Sequence, residues 1–132
     1  MKKRIILAAA AIMLATASLS TAAQNAPLST PAIKNSVGNG KPTLVFFQNP
    51  YGGPCRAQKR ELDKLSAGQM KGKFNIAAVN AIDQNDQKAF YDYGVRSLPS
   101  LVLVDKAGKI SKVFPPGIQS SDSVAAAINA LK

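Results

Sequence analysis

Cys55 is the single cysteine of the chain, and the chain has no histidine. These two facts bound the chemistry. Zinc sites built on histidine or on several thiolates are excluded, as are Ser-His and Cys-His nucleophile–base pairs. No internal disulfide can form. What remains is one sulfur, at the end of the stretch Tyr51-Gly52-Gly53-Pro54-Cys55. Such a thiol either packs as a small apolar group or forms a mixed disulfide with a partner or a small thiol, and release then needs an external thiol. Two further patterns fail as sites. Asp83, Asp86 and Asp92 lack the glycine and the closing glutamate of a calcium loop. The fragment Gly38-Asn39-Gly40-Lys41-Pro42-Thr43 has Asn35 where a phosphate loop needs its first glycine, and Pro42 where it needs Ser or Thr. No metal and no cofactor is expected.

The elements around Cys55 follow from periodicity. Thr43-Leu44-Val45-Phe46-Phe47-Gln48 is a continuous apolar run with β-branched and aromatic members, the pattern of a strand buried on both faces. A helix is predicted from Pro54 to about residue 67, with proline at a first-turn position. On it, Cys55, Leu62 and Leu65 share one face, while Arg56, Arg60 and Lys64 share another. Cys55 is therefore expected on the apolar side. The first-turn position favours a thiolate and apolar neighbours disfavour it. Lys59 and Asp63 stand four apart and support a solvated basic face. Further strands are expected over 74–80, 100–104 and 109–114. A short helix capped by Asn85 or Asp86 should close at Gly94. A last helix capped by Ser121 or Asp122 should carry the stripe Val124, Ile128 and Leu131. A strand or helical turn is expected near 32–37. The order strand, helix, strand, helix, strand, strand, helix implies an α/β fold. Its central mixed sheet should have about four to five strands, with helices on both faces and an antiparallel hairpin at one edge.

The first residues read differently. Met1-Lys2-Lys3-Arg4 is basic, residues 5–15 are apolar, and Ser18, Ser20, Thr21, Ala22 and Ala23 are small. This is the plan of a secretory signal peptide over 1–23, cleaved after Ala23, and it predicts a periplasmic protein. An uncleaved anchor would need a longer apolar core, of roughly 20 residues. Residues 24–40 are rich in Ala, Ser, Asn, Gly and Pro and read as a leader. The domain is expected over 41–132. The formal net charge of the whole chain is +10, but its Lys and Arg are scattered and not interleaved with aromatics. That argues for a solvated basic surface and against nucleic acid. No second long apolar run follows, so no membrane contact is expected after cleavage.

Within 41–132, "LVFFQNPYGGPC" and "YGVRSLPSLVLVDKAGK" together resemble the thioredoxin family, and "NAIDQND" resembles the family's segment between a strand and its following helix. The resemblance implies a thioredoxin-like fold, a cis Leu98–Pro99 bond facing the loop of Cys55, and thiol–disulfide exchange with protein or peptide partners. It also implies that Tyr51, Gly52, Gly53, Pro54, Leu98 and Pro99 line a shallow peptide groove, with strand-like pairing before the proline. The departures bear on function. Where the family carries Cys-Gly-Pro-Cys, this chain reads Gly52-Gly53-Pro54-Cys55. The surviving thiol holds the resolving position, and Phe46 stands where members tend to carry a buried carboxylate. Gly52 and Gly53 serve either as a permissive tight loop or as exposed amides that contact an anion or a peptide. Pro99 either preserves the fold or presents partners. Two functions result: a divergent thiol–disulfide oxidoreductase acting at most through Cys55, or a non-catalytic module that binds peptides or a partner.

Overall fold

Thr43–Gln48 forms β1, whose residues from Thr43 to Phe47 are all buried. A strand covered on both faces needs apolar side chains along its middle, and Leu44 to Phe47 supply them, while the buried Thr43 hydroxyl donates to the Ser36 carbonyl. The computed structural model describes residues 24–131. The signal segment expected over 1–23 lies outside the described residues. Along the chain follow α1 (Pro31–Ser36), β1, α2 (Gly53–Ala67), β2 (Asn75–Asn80), a 3₁₀ turn (Gln84–Asp86), α3 (Gln87–Tyr93), β3 (Ser100–Val104), β4 (Ile110–Val113) and α4 (Ser121–Asn129). The four strands make one mixed sheet in the order β2-β1-β3-β4. This is the α/β architecture expected, with four strands.

β1 and β2 are parallel across the α2 crossover, with Thr43 opposite Asn75 and Gln48 opposite Asn80. β3 enters on the other side of β1 and runs antiparallel to it, with Phe47 opposite Ser100. The antiparallel part of the sheet thus begins at a central strand, one strand further in than a hairpin added at the edge would give. β4 completes the hairpin and is shorter than the expected 109–114. Lys109 instead bridges to Asn25, and Phe114 is buried in the core.

Alternation along the strands divides the core. Leu44, Phe46, Leu101 and Leu103 pack with Leu62 and Leu65 of α2 and with Val124 and Ile128 of α4. Val45, Phe47, Val102 and Val104 pack with Ile33 of α1 and Ala89 of α3. On that second face Phe47 meets Phe90 edge-on, with ring centroids 5.2 Å apart.

Residues 24–40, read from the sequence as a leader, take part in this body. Thr30 caps α1 through its hydroxyl, which accepts from the Ile33 N–H. Ile33 is fully buried. The Tyr93 hydroxyl donates to the Pro27 carbonyl at 2.7 Å, and the Ile110 N–H donates to the Gln24 carbonyl at 2.8 Å. Two caps also differ from expectation in detail. Ser120, one residue before the expected pair, accepts from the Ser123 N–H and starts α4. Asp86 stands at the N-cap of α3, yet its carboxylate accepts from the Asn80 N–H at 2.8 Å. Gly94 closes α3 in the left-handed region, at φ 65°. Among the described residues, no helix is long and apolar enough to cross a membrane.

Candidate functional site

The loop between β1 and α2 is built around Asn49. Its carbonyl accepts from the Gly52 N–H at 2.9 Å, closing a turn with Pro50 at the second position, where a fixed φ suits it. Its side-chain oxygen accepts from the Tyr51 N–H at 3.0 Å. Its own N–H donates to Cys55 Sγ at 3.4 Å. The turn leaves Tyr51 78% exposed. Gly52 is the N-cap of α2 and makes no side-chain cap bond, and Pro54 sits in the first turn. Gly52 has φ −76° and ψ 134°, an extended conformation open to any residue. A Cβ built there would lie 3.7 Å from Cys55 Sγ and 3.3 Å from the Asn49 carbonyl oxygen.

Cys55 is 3% exposed. The helix face it shares with Leu62 and Leu65 turns it inward, as the spacing requires. Phe46 is equally buried, within the cluster of Leu62 and Leu65, and no carboxylate is buried among the described residues to serve as proton acceptor. Leu98 and Pro99 reach the same region from β3. Ser100 pairs with Phe47, so Pro99 stands at the level of Gln48, just before the Asn49 turn. The Leu98–Pro99 bond is cis. Pro99 is buried. Leu98 is half-buried and packs against the core on the α1 and α3 side, so part of its side chain is committed to the fold. Its main chain makes no hydrogen bond among the described residues.

Sequence reasoning missed Asn49, Gln58 and Glu61. Gln58 lies one turn beyond Cys55 and is fully buried. Its amide pairs both ways with the main chain of Gln119: Nε2 donates to the carbonyl at 2.9 Å, and Oε1 accepts from the N–H at 2.6 Å. Gln119 Nε2 in turn donates to the Pro115 carbonyl at 3.0 Å. Glu61 Oε2 accepts from the Ser121 N–H at 3.0 Å, at the start of α4. That amide, with Lys64 beside it, holds the Glu61 carboxyl below the usual carboxylate range. A polar residue on the apolar stripe of α2 was the available signal for Gln58.

A cleft of about 250 Å³ opens between residues 93–97 and the end of β4, with Ser100, Val102, Val113, Phe114 and Pro116 on its far wall. Cys55 does not line it.

A profile of the thioredoxin-like domain family matches residues 30–132. Thioredoxin 1 of Nostoc sp. is 39% identical over 72 residues, covering 54% of this chain and 64% of that protein. The chain thus spans less than two thirds of that relative. The thioredoxin of Pyropia yezoensis is 27% identical over 93 residues, covering 70% of this chain and 82% of its own. Among solved structures, Fasciola hepatica thioredoxin superposes with a TM-score of 0.60 at 22% identity, over 80% of this chain and 97% of that one. The exposed lipoprotein thioredoxin of Streptococcus pneumoniae gives 0.59 at 20% identity, over 71% and 87%. At these identities the structural likeness is one of fold.

Proposed function

The chain belongs to the thioredoxin-like domain family, and from that premise we propose that it is an exported, periplasmic thioredoxin-fold protein that binds an extended peptide or protein partner beside Cys55 and does not turn over disulfides. The burial of Cys55 carries this reading. Its sulfur is occupied as the acceptor of the Asn49 N–H, the residue is 3% exposed, and the chain has no second cysteine to resolve a mixed disulfide. Binding is supported by the exposed Tyr51, an amphipathic ring of the kind that anchors interfaces, and by the main chain of Leu98, unpaired among the described residues, which suits strand-like pairing.

Thiol titration of the exported protein with a chromogenic disulfide reagent tests it. Cys55 should react slowly in the folded protein and fully in denaturant, and a dithiol-coupled insulin reduction assay should stay at background. Rapid native labelling at neutral pH would refute the reading. N-terminal sequencing of the same material should begin at Gln24, and an intact Met1 in the membrane fraction would defeat export by cleavage.

A second reading has one observation in its favour. Gly52 carries no side chain over the Cys55 sulfur, where a Cβ would stand 3.7 Å from it. A mixed disulfide with glutathione, formed from glutathione disulfide with release of one glutathione, would appear as a mass increase under native conditions.

A further inference from the structure

We propose that the cleft between residues 93–97 and 113–116 is a recognition pocket for one apolar side chain followed by a carboxylate, in an extended acidic-apolar peptide. The inference rests on the binding reading above and names its partner. Val95, Val102, Val113, Phe114 and Pro116 supply apolar walls. The volume of about 250 Å³ lies below the roughly 300–1,000 Å³ of pockets for drug-sized ligands. It suits a single side chain. Val113 is 67% exposed at the rim, an apolar contact left for a partner to cover.

Charge selects the neighbour of that side chain in the peptide. No carboxylate lines the cleft, whereas Arg96 does, and Arg96 has no ion-pair partner among the described residues. An acidic group is drawn to this rim and a basic one is repelled. Position adds a further argument. Ser97 and Ser100 line the cleft and flank Leu98 and Pro99, so a strand paired with Leu98 runs toward it. The Pro116 wall is also preformed. Gln58 grips Gln119, and Gln119 holds the Pro115 carbonyl, so the loop needs little ordering on binding.

Fluorescence polarisation with two labelled heptapeptides tests the pocket, one centred on Leu-Glu and the other identical but for Leu-Lys. The exported protein should bind the Leu-Glu peptide about fivefold more tightly at low salt, with the gap closing as salt screens it. Arg96→Gln should bring the two affinities within about twofold. Val113→Asp, at an exposed position, should reverse the preference. Equal binding of both peptides, or a preference that survives Arg96→Gln, overturns the pocket while leaving the binding reading beside Cys55 intact. Failure of both peptides to bind at millimolar concentration overturns the pocket and that reading together.

Discussion

Gly52→Cys restores the missing sulfur, and the geometry sets what it should do. The φ and ψ at Gly52 suit any residue, so the backbone does not resist the change. The added Cβ would stand 3.7 Å from Cys55 Sγ. In a formed disulfide the corresponding separation is roughly 3 Å, given an S–S bond of about 2.04 Å, so a shift of about 0.7 Å closes the bond. The Asn49 carbonyl at 3.3 Å from that Cβ must yield by a few tenths of an ångström. Closing a four-residue ring removes about 2 kcal/mol of chain entropy from the unfolded state by the usual loop relation. With a urea slope of about 2 kcal/mol per molar, the oxidised variant should unfold at about 1 M higher urea than its reduced form. The new thiol sits at an uncapped helix N-terminus, where the dipole favours a thiolate. The variant should therefore reduce insulin in a dithiol-coupled assay while the parent does not. The gain should be partial, because Phe46 supplies no proton acceptor. Free thiols that persist after mild oxidation would refute the geometry. A parent as active as the variant would refute the binding reading and require a single-thiol cycle.

The other predictions concern stability. Ile33→Ala should cost about 2–5 kcal/mol, read as a lower urea midpoint; an unchanged midpoint would mean that residues 24–40 are not part of the folded body. Gln58→Leu removes both partners of the Gln119 main chain and should cost about 2–4 kcal/mol, with faster amide exchange at Gln119. Burial, and then the charge of Asp92, push the Tyr93 phenol up to about 12 from 10.0. The folded state therefore holds this proton longer than the unfolded state, and the Tyr93 contribution to stability is lost as pH rises from about 10 to about 12. Tyr93→Phe should flatten that decline, and ultraviolet titration of the folded protein should show one phenol ionising late.

Burial pattern decided how much of the fold could be read from sequence. β1 and β3 coincide with the predicted runs because both are covered on both faces, so their central residues are apolar. Gly94 marks the end of α3 because the left-handed turn there suits glycine. The direction of β3 was not legible. α3 and the 94–99 loop connect β2 to β3, and no local pattern in them says on which side of β1 the chain returns. Ser120, Ser121 and Asp122 are all able caps, and the contact with the Ser123 N–H chooses among them. At the site, the inward turn of Cys55 followed from helix spacing alone. Gln58 and Glu61 could not be read in the same way, because their partners Gln119 and Ser121 lie about sixty residues away along the chain.

The bond from the Asn49 N–H to Cys55 Sγ has an evolutionary consequence. Cys55 fills a buried position and accepts from a main-chain donor, and both roles are independent of redox chemistry. Its replacement by alanine would open a void and strip that N–H of its acceptor, two costs that add. Gly52, half-buried at an exposed turn, has no such double role in packing. Selection for a stable fold would therefore retain a cysteine at position 55 whether or not catalysis is selected for. A thiol preserved in this way records the architecture of a loop, and its persistence in a sequence is not by itself a sign of activity.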